Sequence, residues 1–531
     1  MRAIFTLFSI ILSLFSFAQS LEIEWQQCIG GPRKEELYDM VHTGVGFLLT
    51  GLIPSDTNIK RDAFLIKTDL EGNVLWQKRY GGSNDDGCYR IFQTLDGNYY
   101  LVGGSSSSDG DISYNPFSNG KLNFWILKID PEGNIIWDKM FGGYGLDHIW
   151  DAAVTTDGGL VAYGWTDSND GDISVSFGAY DAWLIKINSE GQKEWDFTLG
   201  DYSLDYPEAV LATSDGGLLV SCSTLGEPGG NTSCITSVNG SADLSITKLN
   251  PVGQVEWQNC IGTNYHDYIR DMNELPDGYM LACYVRNGEG DATGSGYHEG
   301  WEFNTPAADI WLVKTDLYGQ IVWQKCYGGT KGDYPYSIFK TGDGYVVVGR
   351  TSSTDYDVTD NHSPGYPYTN IWVLKVGEDG EIISSQCFGG STVMELQSAV
   401  IKLSDTHFII GSTFPYSSDL GQITCQPVFV GDHQIWLISV MDTTVGVNKM
   451  DVIDKNIKVY PNPTNEAFVV ELPVSSGQID VYNTLGILLH SQRVSENKTI
   501  LDCRLYPEGM YMVKYITENG NTTSKKVMIL H

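Results

Sequence analysis

The feature that most restricts how this chain can fold is a short motif that returns about every sixty residues. A Trp is followed five positions later by Gly, and the six Trp residues stand 51, 61, 58, 62 and 66 residues apart: Trp25, Trp76, Trp137, Trp195, Trp257 and Trp323. A seventh copy at residues 385–390 has lost the Trp. Repeats of this length indicate equivalent units that pack on one another, because such a unit cannot bury its apolar face alone.

Each repeat contains four segments with the character of β-strands. Two apolar runs flank an Asp-Gly turn, as in FQTLDGNYYLVGG at residues 92–104, and Asp-Gly favours a tight hairpin because its turn needs positive φ. A long polar loop leads to a third run, such as DAWLIKIN at residues 181–188, and a Gly-containing turn then leads into the next Trp strand. Four-stranded units that repeat in this way predict a β-propeller.

The two ends of the repeat region complement each other. The first repeat begins with its Trp strand at residues 21–30, and the last repeat ends with a third-type strand at residues 435–442. Pairing of these two segments would complete one blade and close the ring, which removes exposed strand edges. We therefore predict an all-β, seven-bladed β-propeller over residues 19–442, with an open β-solenoid as the alternative. The repeats resemble the Asp-Gly- and Trp-rich propeller repeats of secreted bacterial surface proteins, a likeness that implies a fold more than an activity.

The N-terminus is typical of a secretory signal peptide. Arg2 precedes an apolar run at residues 4–17, and Ser16 and Ala18 place small residues at the two positions that signal peptidase inspects. The run is shorter than the roughly 20 residues of a membrane span. We predict that residues 1–18 are removed and that the mature chain has no transmembrane segment.

After residue 442 the repeat stops, residues 443–456 have the composition of a linker, and residues 457–531 alternate short apolar runs with turns. This pattern predicts a small Ig-like β-sandwich. Motif residues of this segment resemble the type A C-terminal sorting domain of Bacteroidetes proteins exported by the type IX secretion system: Tyr460, Pro461, Asn462, Pro463, Gly486, Gly509, Tyr511, Lys525 and Lys526. The resemblance implies the type IX machinery as a partner of residues 457–531. It also implies export across the inner and outer membranes, followed by surface attachment or release. An ordinary Ig-like adhesion module is the alternative.

The whole negative surplus belongs to the repeat region: the chain has a formal net charge of −33, residues 457–531 contain seven acidic and seven basic residues, the linker contains two of each, and residues 1–18 contain only Arg2. A surface of this sign repels nucleic acid and anionic lipid, and it favours solubility or cation binding. A nucleic-acid partner is therefore disfavoured.

The ten cysteines follow no metal-binding spacing. Four of them share one position in the repeat, two residues before the Gly, and this shared position suggests small buried apolar residues: Cys28, Cys260, Cys326 and Cys387. Export permits disulfides, and Cys222 with Cys234 or Cys283 is a candidate pair.

An acidic residue follows the second position of the Gly pair by four residues in six repeats: Glu35, Asp86, Asp147, Asp205, Asp267 and Asp333. Such a ring could bind cations in a central channel. Recurrence in every unit instead favours a structural role, in which each carboxylate caps a tight turn.

The long loops before the third strands are better candidates for binding, because they vary while the strands do not. Three loops carry pairs of Asp two residues apart, a source of hard oxygen ligands that suits Ca²⁺: Asp109, Asp111, Asp170, Asp172, Asp355 and Asp357. The full EF-hand pattern is absent, and Asp, Gly and Ser are also ordinary turn residues. Calcium is therefore a candidate cofactor and no other is predicted.

Two of the loops are rich in aromatic residues, which could stack on sugar rings or peptide segments or could pack the loops on their neighbours: Tyr297, Trp301, Phe303, Tyr356, Tyr366 and Tyr368. No GxSxG, HExxH or P-loop pattern points to catalysis. We expect a non-enzymatic surface or secreted propeller whose loop face binds a glycan, peptide or protein. The alternatives are a secreted polysaccharide hydrolase or lyase that uses loop carboxylates, and a structural surface component.

Overall fold

The structure is a computed structural model, and it describes residues 21–529 apart from 32–33, 55–59, 225–228, 233, 235–242, 303, 362–367, 391–398, 416–420, 426–432, 444–457, 461–463, 473–476, 484–487, 505, 508 and 518–521. The predicted signal peptide lies outside the described residues. The chain divides into two compact units, 1–445 and 446–531.

The described part of the first unit forms seven four-stranded antiparallel sheets, which we number 1 to 7. Sheet 7 is built from both ends of the unit and contains β1 (Leu21–Ile29) beside β30 (His433–Asp442), β29 (His407–Pro415) and β28 (Val400–Ser404).

The other six sheets follow the chain in order. Sheet 1 contains β2 (Glu36–His42), β3 (Phe47–Pro54), β4 (Arg61–Thr68) and β5 (Val74–Tyr80), and sheet 2 contains β6 (Asp86–Gln93), β7 (Tyr99–Ser105), β8 (Asn123–Ile129) and β9 (Ile135–Phe141). Sheet 3 contains β10 (Asp147–Val154), β11 (Leu160–Thr166), β12 (Asp181–Ile187) and β13 (Lys193–Leu199), and sheet 4 contains β14 (Asp205–Ala212), β15 (Leu218–Thr224), β16 (Asp243–Leu249) and β17 (Val255–Ile261). Sheet 5 contains β18 (Tyr268–Leu275), β19 (Gly278–Val285), β22 (Asp309–Asp316) and β23 (Ile321–Tyr327), and sheet 6 contains β24 (Asp333–Thr341), β25 (Gly344–Thr351), β26 (Asn370–Gly377) and β27 (Ile382–Phe388). The loop after β19 also holds a short 3₁₀ helix (Gly290–Ala292) and a two-residue hairpin, β20 (Trp301–Glu302) and β21 (Thr305–Pro306).

The predicted pairing of the two ends is confirmed. β1 is antiparallel to β30, in a register that places Leu21 opposite Asp442 and Ile29 opposite Ile435. This pairing excludes the open solenoid, because a solenoid keeps its first and last strands apart. Neighbouring sheets share hydrophobic cores. Sheet 6 shares one core with sheet 7, and sheet 7 shares another with sheet 1, so the packing of the sheets forms a closed ring. The first unit is a β-propeller.

The repeated Trp explains how neighbouring sheets are held. The turn Gly between the third and fourth strands of one sheet lies against the motif Trp of the preceding sheet, so that a Cβ on Gly133 would stand 2.9 Å from the ring of Trp76. Gly133 also has a φ of +74°, a backbone conformation that favours glycine independently of the close contact with Trp76. The Trp and the turn Gly are thus two halves of one contact, which recurs at six sheet boundaries; the last strand of sheet 6 carries the motif copy that has lost its Trp.

The innermost strand of each of sheets 1 to 6 contains a β-bulge at the same place. One residue is skipped in the pairing with the second strand of the sheet, which bends the strand and redirects that side chain. The six skipped residues, which we call the bulge residues, are Tyr38, Tyr89, Trp150, Glu208, Arg270 and Tyr336. The corresponding stretch of sheet 7 falls within residues 391–398, outside the described residues.

The residue after the bulge ties the sheets together in pairs. Asp39 accepts a hydrogen bond from the backbone N–H of Ile91 at 3.0 Å, and Asp151 accepts one from Val210 at 3.0 Å. Asp271 accepts one from Ile338 at 2.8 Å. Sheets 1, 3 and 5 therefore bond to sheets 2, 4 and 6 around the axis.

The described part of the second unit forms two antiparallel sheets around one core. Their strands are β31 (Lys458–Tyr460), β32 (Ala467–Glu471) and β35 (Lys498–Asp502) in one sheet, and β34 (Leu488–Val494), β33 (Gly477–Tyr482), β36 (Gly509–Thr517) and β37 (Thr522–Ile529) in the other. Of the predicted sorting motif, Tyr511 is buried and donates its hydroxyl to the carbonyl of Pro507 at 2.7 Å. The hydroxyl of Tyr460 donates a hydrogen bond to Oε2 of Glu471 at 2.9 Å, and Lys525 is exposed. Pro461, Asn462, Pro463 and Gly486 lie outside the described residues, whereas Gly509 and Lys526 lie in β36 and β37.

The cysteine prediction was wrong in two respects. Cys28 is bonded to Cys425, and Cys234 is bonded to Cys260, whereas Cys222 and Cys283 are free and buried. Cys28 and Cys260 therefore each form a disulfide with a loop cysteine, and they do not serve merely as small apolar residues. In both cases the Trp strand of a sheet is joined to the long loop of the same sheet, a geometry that spacing in the sequence does not reveal.

We predict that the disulfide of Cys28 stabilises the ring more than the other one does. It spans 397 residues and joins the two ends of the propeller, whereas the bond of Cys234 spans 26. In the chain-entropy view the longer loop is worth about 6 kcal/mol and the shorter about 3.5 kcal/mol. The double variant Cys28→Ser/Cys425→Ser should therefore melt at a lower temperature than Cys234→Ser/Cys260→Ser, as measured by calorimetry. Equal losses would show that ring closure does not depend on the covalent link.

Candidate functional site

All six bulge residues line a single cavity of about 300 Å³ on the axis of the first unit. An adjoining cavity of about 270 Å³ shares Trp150, Glu208 and Arg270 with it and is walled further by Trp165 and Tyr206. We call these two adjoining cavities the axial mouth. They open at the strand ends from which the long loops leave, because Trp165 and Ser223 stand near the ends of β11 and β15.

The bulge positions are structurally equivalent, yet their residues differ. Tyr38, Tyr89 and Tyr336, like Trp150, are aromatic, whereas the other two positions hold Glu208 and Arg270. A bulge needs no particular side chain at the skipped position, so the backbone does not account for an acid and a base at adjacent sheets. Departures from a repeat on a rigid scaffold are where function is expected.

Arg270 is surrounded by aromatic rings. Its guanidinium lies 5.7 Å from the ring centre of Trp150, 5.9 Å from that of Tyr268 and 5.5 Å from that of Tyr284, distances at which a cation is attracted by the ring face. One of its nitrogens approaches the hydroxyl of Tyr284 at 3.4 Å. Among the described residues no carboxylate forms an ion pair with Arg270, so its charge faces the cavity without a protein counter-ion.

Glu208 is buried at 4% exposure beside this arginine. Its Oε1 accepts a hydrogen bond from Ser223 at 2.7 Å, while its Oε2 is buried without a hydrogen-bond partner among the described atoms. Burial raises the pKa of Glu208 to about 8, although the charge of Arg270 works in the opposite direction. The side chain is therefore largely protonated at neutral pH and can donate a hydrogen bond from Oε2.

Arginine is concentrated near this site. The repeat region at residues 19–442 contains seven arginines, and four of them line the axial mouth or lie against Tyr336 in its wall: Arg61, Arg90, Arg270 and Arg350. Arg350 lies 4.8 Å from the ring of Tyr334 and 5.8 Å from that of Tyr336, and Arg286 approaches the hydroxyl of Tyr334 at 3.4 Å. In a strongly acidic chain this cluster is a local reversal of charge.

A third cavity of about 430 Å³ shares Arg90, Arg270 and Tyr336 with the axial mouth and reaches Asp39, Asp151 and Asp271. These three carboxylates already hold the neighbouring sheets. Asp151 also accepts a hydrogen bond from Nε of Arg90 at 2.8 Å. This part of the channel is therefore occupied by structural bonds.

None of the four predicted loop aromatic residues in the described part of the chain lines the axial mouth. Tyr297 and Trp301 line a separate cavity of about 520 Å³ in the loop at residues 286–306, which we call the loop cavity. The hydroxyl of Tyr297 lies 2.9 and 2.8 Å from the carbonyls of Arg286 and Ala307 and so holds the loop, whereas Trp301 is 65% exposed.

The remaining predicted aromatic residues are spread over the next loop. Tyr356 is 64% exposed, with its ring 4.5 Å from that of His298, and Tyr368 is 38% exposed. Phe303 and Tyr366 lie outside the described residues. The structure therefore brings two of the six predicted residues into one cavity.

Each predicted calcium ligand accepts a hydrogen bond from a backbone N–H. The donor lies in, or directly after, the Gly pair that precedes the first strand of the same sheet. The pairs are Asp109 with Ser83, Asp111 with Gly81, Asp170 with Tyr144, Asp172 with Gly142, Asp355 with Thr330, and Asp357 with Gly328, at 2.8 to 3.2 Å. Within the described ranges no group of three or more acidic, His or Cys side chains is placed to hold a metal ion. Calcium binding by these loops stays a prediction.

The recurring acid after each Gly pair caps a turn, as the structural interpretation predicts. Each accepts the N–H of the residue four positions before it, at 2.5 to 2.9 Å: Glu35, Asp86, Asp147, Asp205, Asp267 and Asp333. They belong to turns and are not among the residues that line the axial mouth.

A second acidic residue, from the preceding sheet, often lies close to this capping carboxylate. A Cβ built on Gly200 would stand 2.5 Å from Oδ1 of Asp181 and 2.8 Å from Oδ2 of Asp205, so both carboxyl groups crowd the same glycine. The Oδ1 atoms of Asp181 and Asp205 are buried without a hydrogen-bond partner among the described atoms. Burial, followed by repulsion from nearby acids, raises the pKa of Asp205 to about 7. At the equivalent place one sheet boundary earlier, between sheets 2 and 3, Asn123 offers an amide nitrogen to Asp147 at 3.0 Å.

We predict that Asp181→Asn stabilises the propeller at pH 8 by about 1 kcal/mol and has little effect at pH 5. Because the pKa of Asp205 is raised, the folded protein binds more protons than the unfolded chain between about pH 4 and pH 7, and stability falls as pH rises through that window. An amide at position 181 would reproduce the Asn123–Asp147 arrangement and remove the repulsion.

The reverse substitution, Asn123→Asp, is the matched control and should lower stability at pH 8 more than at pH 5. Denaturant unfolding at the two pH values measures both effects. A pH-independent response of both variants would contradict the proton-sharing interpretation.

Comparisons with known proteins bear on the second unit most directly. Residues 458–530 match the family of the secretion system C-terminal sorting domain. This match confirms the predicted type IX sorting domain, and with it an exported protein that is secreted or held at the cell surface. Within the described part of the chain there is no helix with the length and apolar character of a membrane span. A comparison with curated proteins found no match.

A search of solved structures finds matches that share little sequence with this chain. PorZ of Porphyromonas gingivalis, described as an essential surface component of the type IX secretion system, has 10% identity and a TM-score of 0.39, and the alignment covers 95% of this chain and 60% of PorZ. Hydrazine synthase of Kuenenia stuttgartiensis has 12% identity and a TM-score of 0.42 over 71% of this chain and 92% of its own. The β-propeller domain of the Trilobed protease of Pyrococcus furiosus has 10% identity and a TM-score of 0.41 over 75% and 99%. This chain thus spans about 60% of the length of PorZ.

Proposed function

We propose that this protein is a non-enzymatic binding protein, exported by the type IX system, whose seven-bladed propeller takes its ligand into the axial mouth. The observation that carries the proposal is the set of bulge residues, in which equivalent backbone positions present four aromatic rings, an acid and an unpaired arginine to one cavity. The second unit, proposed to be an Ig-like sandwich, serves delivery and engages the secretion machinery.

A glycoside hydrolase is the second candidate, and the lining of the axial mouth argues against it. Such enzymes generally use two carboxyl groups on either side of the scissile bond. Among the described residues that line the mouth, Glu208 alone carries a carboxyl group. The carboxylates deeper in the channel, Asp39, Asp151 and Asp271, already accept backbone hydrogen bonds from the next sheet.

A purely structural surface component is the third candidate. Such a role needs neither a concave site nor an unlike pair of charged residues at equivalent positions. The cavity volume of about 300 Å³ lies at the lower end of the range for small-molecule and cofactor sites, which supports a ligand of modest size or a terminal group of a larger one.

We predict that removal of residues 457–531 strands the protein in the periplasm, since the sorting domain matches this region. Fractionation followed by immunoblotting measures the distribution. As a complementary control, residues 443–531 fused behind a signal peptide and a folded reporter should carry the reporter out of the cell. Unchanged surface delivery of the truncated protein would contradict the assignment of the sorting role.

We predict that the mature propeller binds a ligand from a glycan and peptide array, and that Trp150→Ala weakens this binding at least about tenfold. Trp150 is 39% exposed at the mouth and contributes to both of its cavities. Trp301→Ala, which removes an exposed aromatic residue from the loop cavity, is the matched control and should bind normally. The opposite pattern would move the binding site to the loops, and turnover of any array ligand would favour the enzyme.

A further inference from the structure

We propose that the axial mouth recognises the end of a glycan that terminates in a carboxylated sugar ring, with Arg270 as the receptor of the carboxylate. The inference rests on the proposed function and names the ligand class of the same site. A peptide that presents an acidic side chain is the competing class, and the experiment below distinguishes the two.

The guanidinium of Arg270 provides the charge that such a ligand needs. Its planar fork can hold both oxygens of a carboxylate, and it has no protein carboxylate as a partner among the described residues. Three rings at 5.5 to 5.9 Å surround it and limit its orientations, so that little side-chain entropy is lost when a ligand binds.

Glu208 supplies a second donor for the same ligand group. Glu208 lines both cavities, its Oε2 is buried without a partner among the described atoms, and Oε1 is already held by Ser223 at 2.7 Å, which fixes the carboxyl group in place. A buried polar atom without a partner is destabilising until a ligand satisfies it. A carboxylate bound by Arg270 can accept the proton that Glu208 carries in its neutral form.

The walls beside these two polar groups suit a sugar ring. Trp150 is 39% exposed and Tyr206 is 45% exposed, and both line the mouth next to Glu208 and Arg270. Exposed aromatic faces pack well on the apolar C–H face of a pyranose, while the ring hydroxyls remain in water at the rim. An acidic peptide side chain offers no comparable rigid ring for these faces.

Size and charge together favour a chain end over a polyanion that binds along its length. The two cavities, about 300 and 270 Å³, accommodate one or two rings. The propeller around them is strongly acidic, so further carboxylates of a polyuronate outside the mouth would be repelled.

The proposal implies that binding weakens above about pH 8, where Glu208 ionises, neutralises Arg270 and repels the ligand. The groups that face Glu208 from neighbouring strands are Arg270, Tyr268 and Tyr284, together with Tyr163, Cys222 and Cys283, and His266 lines the same cavity. Burial raises the pKa of the buried tyrosines and cysteines in this group, so they stay neutral through the pH range of the test.

The test is isothermal titration calorimetry of the mature protein at pH 6.5 and pH 9 with three matched probes. These are the methyl glycoside of D-glucuronic acid, the methyl ester of that compound, and methyl glucoside. We expect the acid to bind at least about tenfold more tightly than the ester and the glucoside at pH 6.5, and to lose most of this preference at pH 9. Arg270→Gln should abolish the preference. Glu208→Gln should keep it and make it independent of pH.

Two controls keep the outcomes distinct. Arg286→Gln removes an arginine from the loop cavity and should leave the preference intact. If Arg270→Gln fails to fold, the comparison of acid and ester on the unaltered protein still decides. Equal affinity for acid and ester, or a preference for an acidic peptide over the acid glycoside, overturns the inference. If array ligands without a carboxylate bind at Trp150, the proposed function stands while the inference fails. If no ligand binds, both fail.

Discussion

The antiparallel pairing of β1 with β30 is the interaction on which the rest of the first unit depends. It joins two segments separated by about four hundred residues, and it removes the two open edges that a linear array of sheets would leave. Only a closed ring directs the innermost strands of all its sheets toward one axis. In a linear stack the six bulge residues would form a row, and Glu208 and Arg270 would have no common cavity with Tyr38.

The residues that recur and the residues that differ do separate work. The motif Trp, the turn Gly and the capping acid each make a contact that recurs at six of the sheet boundaries, as Gly133 shows against Trp76. Their repetition is therefore explained by packing and hydrogen bonding. Glu208 and Arg270 occupy a position where the backbone accepts any side chain, so packing leaves their identity unexplained, and a ligand supplies the missing reason.

The sequence predicts most of the fold because each sheet repeats the same pattern of turns and apolar runs. The Asp-Gly hairpins and the complementary ends lead directly to four-stranded units and to the pairing of residues 21–30 with 435–442. The motif around Tyr460 and Tyr511 leads in the same way to the sorting domain. These features are local, and their physical causes lie within a few residues of each other.

The axial mouth could not be predicted from those patterns, because a β-bulge leaves no mark in a run of apolar and polar residues. Glu208 and Arg270 look like ordinary strand residues, and the variable loops draw attention instead. A signal was nevertheless present: the bulge residue always stands seven positions after the second residue of the Gly pair, so a column comparison isolates Tyr38, Tyr89, Trp150, Glu208, Arg270 and Tyr336. The disulfide of Cys28 was hidden for the opposite reason, since its shared repeat position suggested packing and its partner lies in a loop that does not repeat.

A strongly acidic protein can still contain an arginine that binds an anion, because burial acts differently on the side chains of Arg270 and Glu208. Arg270 remains charged in any protein environment, whereas Glu208 can escape the cost of a buried charge by keeping its proton. If Glu208 were exposed and ionised, it would neutralise Arg270, and the mouth would share the negative charge of the surrounding surface. Packing of sheet 5 on sheet 4 buries Glu208, and this burial leaves Arg270 without a counter-ion. Closure of the ring then brings this pair into one cavity with the aromatic bulge residues of the other sheets.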